Sequence, residues 1–142
     1  MPFRRISVGL LTLALVACAR PVKPAAPDAT ARLQAIPAVS SEKYRTMQDM
    51  KGWGNPYLIV RADGIALLDS SNHEEHRLKV EELPDALANL PSSAWPYGRV
   101  VAVQNADVDA AAADSTRIRD NRAKVAAALH SLQIVINYVP SA

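Results

Sequence analysis

The sequence predicts a small two-layer α+β domain, in which helices cover one face of a mixed sheet of about four strands. An Asp-Gly pair between two short apolar runs is typical of a β-hairpin. The rest of the chain alternates helical periodicity with apolar runs, in the order helix, strand, helix, strand. A strand–helix–strand unit favours parallel neighbours, whereas a hairpin pairs antiparallel strands, so the predicted sheet is mixed.

The hairpin is predicted over residues 56–69. Its apolar runs are Tyr-Leu-Ile-Val at 57–60 and Ile-Ala-Leu-Leu at 65–68, with Asp63-Gly64 between them. Glycine adopts the positive φ of a tight turn without steric cost. The polar residues that follow, up to Arg77, are predicted to form a loop.

Three helices are predicted from spacing and capping signals. Ser41 is a suitable N-cap for a short helix over 42–51, which Gly52 would end. A second helix is predicted over about 81–90, because its proline must lie in the first turn. The longest helix is predicted over about 114–132. Its apolar stripe consists of Ile118, Val125, Leu129 and Leu132.

Two further strands complete the predicted sheet. Residues 99–104 read Arg-Val-Val-Ala-Val-Gln, and their apolar middle predicts a central strand that is covered on both faces, or else a tightly buried one. Residues 134–139 read Ile-Val-Ile-Asn-Tyr-Val and form the last predicted strand, which Pro140 ends.

The first 18 residues have the pattern of a targeting signal. Arg4 and Arg5 precede an uncharged segment, Ile6–Ala17, which is too short to span a bilayer, since a span needs about 20 apolar residues. The segment runs into Leu-Val-Ala-Cys, which contains the only cysteine, Cys18. This string resembles the lipobox of bacterial lipoproteins, which implies a signal peptide over 1–17 and lipidation of Cys18. The alternative is an ordinary secreted protein in which the cysteine is incidental.

The same resemblance implies a location in the cell envelope, with the protein facing the periplasm. In enteric bacteria an aspartate after the lipidated cysteine retains lipoproteins in the inner membrane, so Ala19 favours the outer membrane. Residues 18–40 contain four prolines in an Ala-rich stretch and are predicted to be a semi-rigid tether. The predicted domain therefore comprises residues 41–142.

The charge pattern argues against a nucleic-acid partner. The full chain has 16 Lys and Arg against 14 Asp and Glu, and removal of Arg4 and Arg5 with the signal makes the two signs equal. Nucleic-acid binding requires clustered positive charge. The densest basic stretch, 114–124, also contains Asp114 and Asp120, so it is interpreted as a solvated helix face.

The sequence carries no signal for catalysis, and a non-enzymatic protein without a cofactor is predicted. Ser92 and Ser93 lack the glycine elbow of hydrolases, and no glycine-rich phosphate loop occurs. His73 and His76 are weak metal-site candidates, because the zinc signature places its histidines four apart on a helix. They are interpreted as titratable side chains of a solvated loop, and no metal is expected.

Two loops that lead into predicted strands carry aromatic residues. Trp53 and Tyr57 belong to the first loop, and Trp95, Tyr97 and Arg99 to the second. If the two strands run in the same direction, the loops meet at one end of the sheet. The five residues are candidate partner-binding residues, because exposed Trp and Tyr provide large contact area with a polar group. Alternatively, the tryptophans close the end of a core that has few aromatics.

The order of elements over 56–139 resembles the periplasmic domain of the ExbD/TolR proteins. The matching features are the Asp63-Gly64 turn, the helix start at Glu81-Glu82-Leu83 and the strand that runs into Asn105-Ala106-Asp107. That family has a membrane helix with an acidic residue for proton coupling, and Ile6–Ala17 has none. The resemblance implies a domain that recognises a partner or self-associates, without energy coupling.

A second resemblance concerns the long helix. Asn121-Arg122-Ala123, followed by Val125 and Leu129, is similar to the peptidoglycan-binding domain of the OmpA type. It implies Arg122 as a candidate cell-wall ligand, provided that this side chain faces a cleft. The family's Thr-Asp loop with its glycine is missing, so its ligand-holding aspartate has no match here.

These expectations combine into one hypothesis, a lipid-anchored envelope lipoprotein with a non-catalytic recognition or scaffolding role. Its expected partners are the membrane, through the lipid, and an envelope protein or a second copy of the chain. Peptidoglycan binding and metal binding are the alternatives.

Overall fold

In the part of the chain that the structure describes, five strands form one mixed sheet and three helices accompany it. The computed structural model describes residues 28–45, 50–68, 74–106 and 111–140. The strands are β1 (Tyr57–Arg61), β2 (Gly64–Leu68), β3 (Glu75–Leu78), β4 (Val100–Asn105) and β5 (Val135–Tyr138). The helices are α1 (Ala29–Gln34), α2 (Leu83–Ala88) and α3 (Ala112–Ser131).

The strands lie in the order β3-β2-β1-β4-β5. β2 pairs antiparallel with both β1 and β3, whereas β4 pairs parallel with β1 and with β5. The predicted hairpin is present, with Arg61 opposite Gly64 at its turn. The predicted α+β class with a mixed sheet is confirmed, and the sheet has five strands where about four were expected.

The additional strand is β3, which lies in a segment that was predicted to be a loop. Its sequence, Glu-His-Arg-Leu, carries three polar side chains that are exposed, and only Leu78 packs against the core. An edge strand with so little apolar surface has no strong sequence signal. Residues 69–73 of the predicted loop lie outside the described residues.

The helices α2 and α3 cover one face of the sheet, where the main core lies. α3 buries Ile118, Val125 and Leu129, as the predicted stripe requires. α2 begins at Leu83, after a 3-10 turn over Val80–Glu82, and accommodates its proline in the first turn. The sheet contributes alternate residues to this core, among them Leu58, Val60, Ile65, Leu67, Val101 and Val103.

α1 corrects the prediction of a tether over 18–40. The Asp28 side chain caps this helix by accepting a hydrogen bond from the Ala31 N–H at 2.7 Å. Leu33 is completely buried in the main core, and α1 packs against α2. Residues 28–40 therefore belong to the domain, and residues 18–27 of the predicted tether lie outside the described residues.

The segment after α1 is bonded to the chain that enters β4. The Arg99 N–H donates to the Pro37 carbonyl at 3.0 Å, and the Ser40 N–H donates to the Tyr97 carbonyl at 2.9 Å. Gly98 has a φ of +79°, and a Cβ at this position would collide with the Ala38 carbonyl oxygen. Only glycine permits this close approach of the two segments.

The helix predicted over 42–51 is not a continuous helix in the described part of the chain. Two 3-10 turns, Ser41–Lys43 and Met50–Gly52, lie at its ends, and residues 46–49 lie outside the described residues.

Among the helices that the structure describes, none has the length and apolar character needed to span a membrane.

Candidate interaction site

The outer side of β5 presents backbone groups that β4 does not use. The N–H groups of Val135 and Val139 donate to the carbonyls of Arg99 and Val103, at 3.0 and 2.9 Å. Backbone groups of successive strand residues point to alternate sides, so those of Ile136 and Tyr138 face away from β4. No strand among the described residues pairs with them. They are positioned to bond an added strand.

The side chains of this edge are uncharged and partly exposed. Val135 is 42% exposed and Tyr138 is 49% exposed. No residue from Ile134 to Val139, a range that includes β5, is charged. Natural edge strands are commonly protected against pairing by charge, by proline or by a bulge. An edge with exposed apolar side chains and no charge is therefore a candidate interaction surface.

An open groove of about 480 Å³ lies at the beginning of β5. Three of its lining residues are apolar, Ile134, Val135 and Ile136, and His130 and Gln133 complete it. Gln133 has a φ of +57°, the left-handed conformation that commonly ends a helix, and it turns the chain from α3 into β5. A groove of this composition can accept a bulky apolar side chain.

Arg122 lies near the other end of β5. Its guanidinium carbon is 4.5 Å from the centroid of the Tyr138 ring, which is a cation–π contact. Within the described residues, no carboxylate forms an ion pair with Arg122. The β5 edge thus combines an apolar groove at one end with an uncompensated positive charge at the other.

The cell-wall prediction required Arg122 to face a cleft. Its guanidinium instead covers a half-exposed ring at the edge of the sheet, and Arg122 does not line the groove beside β5. This geometry does not support a buried ligand-holding role for the arginine.

The two aromatic loops meet at one end of the sheet, because β1 and β4 run parallel. The Trp53 ring lies 5.3 Å from Tyr97 and 5.4 Å from Tyr44, and its Nε1 donates to the Pro56 carbonyl at 3.3 Å. It covers Val100 and Ala102 on the face opposite α2 and α3. Trp53 is only 7% exposed, so it closes a second small core and does not present a free binding surface.

Asn55 fixes the two loops to each other. Its Nδ2 donates to the carbonyls of Gly98 and Val100 at 2.7 and 2.8 Å, and its Oδ1 accepts from the Tyr97 N–H at 2.9 Å. All three bonds are to backbone groups, and the side chain is buried. Asn55 is therefore a structural residue that holds the start of β4.

The other candidate residues of this group are divided between the two faces of the sheet. Trp95 is 4% exposed and packs in the main core, so it is not a contact residue on the surface. The hydroxyl of Tyr57 bonds with Gln104 Oε1, and burial raises the pKa of Tyr57. The backbone carbonyl of Arg99 accepts a hydrogen bond from the Val135 N–H, so Arg99 contributes to the pairing at the start of β5. The five predicted residues therefore do not form one exposed patch.

The structure describes one of the two candidate metal ligands. His76 is exposed on β3, and His73 lies outside the described residues. No group of three His, Cys, Asp or Glu side chains within the described ranges is placed to hold a metal ion. Cys18 also lies outside these ranges, so its lipidation stays a prediction.

The sequence predicted β5 as a strand but did not indicate it as a candidate interaction site. The signal that it offers is the absence of charge over 134–139 in a strand that carries Asn137 and Tyr138. That signal becomes meaningful only with the strand order, which places β5 at the edge.

Comparison of this chain with protein-family models, with curated proteins and with solved structures gave no match.

Proposed function

We propose that this protein is a lipid-anchored envelope lipoprotein that recognises a partner protein through the free edge of β5, without catalysing a reaction. Recognition by strand addition uses backbone hydrogen bonds for affinity and side-chain contacts for specificity. The observation that carries the proposal is the exposed, uncharged edge with outward backbone groups at Ile136 and Tyr138.

The anchor in this proposal is a lipid on Cys18, and the protein faces the periplasm from the outer membrane. The support is the Leu-Val-Ala-Cys string after a short apolar segment, together with Ala19. Metabolic labelling with an alkyne fatty acid tests it. The full chain should take up the label, and the Cys18→Ala variant should not. Mass spectrometry that finds an unmodified thiol in the purified chain would contradict the anchor.

Photocrosslinking in intact cells tests the recognition surface. Replacement of Val135 by p-benzoylphenylalanine in the full chain places the reactive group at the open edge. The same replacement at His76, which is also exposed but lies on the opposite edge, is the matched control. We expect a discrete protein adduct from position 135 and none of the same mass from position 76.

Two results would contradict this function. Equal adducts from both positions would indicate unspecific contact, and no adduct from position 135 would exclude a partner at this edge. An adduct that lysozyme digestion releases would instead identify peptidoglycan as the neighbour and would replace the proposal by the cell-wall alternative.

A further inference from the structure

We propose that the β5 edge binds an extended peptide segment that carries a bulky apolar residue and a carboxylate four positions apart. The apolar side chain enters the groove lined by Ile134, Val135 and Ile136, and the carboxylate lies beside Arg122. This inference rests on the proposed function, because it specifies the chemistry of the partner at the same edge.

The two ends of the site lie on one face of the sheet. Ile134 and Ile136 pack against the core beneath the helices, and Tyr138 lies under Arg122 of α3. Residues 134, 136 and 138 share a face because side chains of a strand alternate. An extended segment paired with β5 has the same alternation, so its residues i, i+2 and i+4 face the groove, the middle of β5 and Arg122.

The spacing of the two ends fits this register. His130 at the groove and Arg122 are eight residues apart on α3, which corresponds to about 12 Å along a helix. Residues i and i+4 of an extended chain are about 13 Å apart. This match places the apolar side chain at position i and the carboxylate at position i+4, or the reverse.

The charge of the site favours a carboxylate over an uncharged or basic residue. Arg122 has no ion-pair partner within the described residues, and β5 itself is uncharged. The guanidinium is held over the Tyr138 ring, so little further ordering is needed to bind an anion. An exposed ion pair of this kind is expected to improve binding by about two- to fivefold.

Synthetic peptides test this chemistry with the full chain purified in detergent. The fluorescent peptides TLTVTET and TETVTLT place leucine and glutamate four apart for the two possible strand directions. Fluorescence anisotropy should detect binding of one of them. Replacement of its glutamate by lysine should weaken binding by about fivefold or more. The Arg122→Gln variant should remove this difference between the two peptides.

N-methylation of the bound peptide tests the strand pairing without any change in the protein. A methyl group on the valine nitrogen and one on the preceding threonine nitrogen remove backbone donors that point to opposite sides. Strand addition predicts that only one of the two methylated peptides loses binding. Equal affinities of these two peptides would overturn the pairing.

The remaining outcomes separate the two proposals. Equal binding of the glutamate and lysine peptides would overturn the assignment of a carboxylate to Arg122. Failure of every peptide to bind, together with a specific adduct from position 135 in cells, would overturn this peptide chemistry and leave the recognition function in place. Failure of both the peptides and the adduct would overturn both.

Discussion

The two edges of the sheet are built differently. β3 carries Glu75, His76 and Arg77, and its charges are paired with residues of the neighbouring hairpin. Arg61 Nη2 donates to both oxygens of Glu75, at 2.9 and 2.8 Å, and Arg77 Nη1 lies 3.2 Å from Asp63 Oδ2. β5 has no charge and leaves apolar side chains exposed. The difference indicates that one edge is protected against strand addition and the other is not.

The attachment of the two edges to the domain also differs. β5 is preceded by the buried Ile134 and lies against α3, so apolar packing holds it. The only side chain of β3 that packs against the core is the partly buried Leu78, and exposed ion pairs supplement this contact. Because exposed ion pairs contribute less than buried apolar groups, substitutions at the two edges should have unequal effects.

The largest effect is expected from Ile134→Ala. Removal of this buried side chain leaves a cavity beneath the β5 edge and should lower the free energy of unfolding by about 2–5 kcal/mol. Urea unfolding followed by circular dichroism measures the change. Val135→Ala is the matched control and should cost less than about 1 kcal/mol, since Val135 is half-exposed. Similar losses for the two variants would contradict the packing described.

A lysine at Val135 should give the open edge the kind of protection that β3 has. The crosslinking yield from a reactive group at Tyr138 should fall by about tenfold, because strand addition would desolvate an unpaired charge. The free energy of unfolding should change by less than about 0.5 kcal/mol, as at other exposed positions. His76→Lys on β3 is the control. An unchanged yield for the Val135→Lys variant would show that partners do not pair with this edge.

Glu75→Gln should reveal how much the paired charge on β3 contributes to the free energy of unfolding. The loss of its two-oxygen contact with Arg61 should lower the free energy of unfolding by about 0.5–1 kcal/mol. This loss should shrink in 1 M salt, because salt screens partly exposed charges. Chemical denaturation with urea at low and high salt checks both statements, and a loss that is independent of salt would exclude the ion pair as its cause.

The smallest effect is expected from Asp63→Asn. The ion pair of Asp63 with Arg77 is largely exposed, so its contribution should be below about 0.3 kcal/mol. Asparagine also suits the tight turn that precedes Gly64. A shift of less than about 2 °C in the thermal midpoint is expected for a domain of this size. A clearly larger shift would show that Asp63 stabilises the turn by more than its exposed ion pair with Arg77.

The sequence predicted the elements that have strong apolar periodicity. The hairpin followed from Asp63-Gly64 between two apolar runs, and α3 followed from its stripe at Ile118, Val125 and Leu129. The prediction that the strand at 99–104 is central was also confirmed, because β4 lies between β1 and β5 and is buried on both faces. These features depend on local patterns, which a sequence displays directly.

Two elements were missed because their stability comes from distant contacts. α1 lies between Pro27 and Pro37, and the prolines favoured a tether in spite of the Asp28 capping signal. Its one buried side chain, Leu33, reaches a core that the sequence alone cannot assemble. β3 is short and polar, and pairing with β2 determines its conformation.

The candidate site was missed for a related reason. The sequence left two roles open for Trp53 and Trp95: exposed contact residues, because aromatic side chains are common in interfaces, or rings that close the end of the core. In the structure both rings are buried, as the second role requires, whereas Tyr138 is exposed at the edge. The exposure of an aromatic ring depends on strand order and loop packing, which local patterns do not encode.

The position of α1 sets the distance over which an anchored chain could act. Ten residue steps separate Cys18 from Asp28, where the folded part has already begun. Even at full extension, the chain from Cys18 to Asp28 spans at most about 36 Å. A lipid on Cys18 would therefore keep the start of the domain within that distance of the bilayer, and the β5 edge within that distance plus the breadth of the domain. Its partner would have to expose its own segment close to that surface, and a protein held at the far side of the envelope would be out of range.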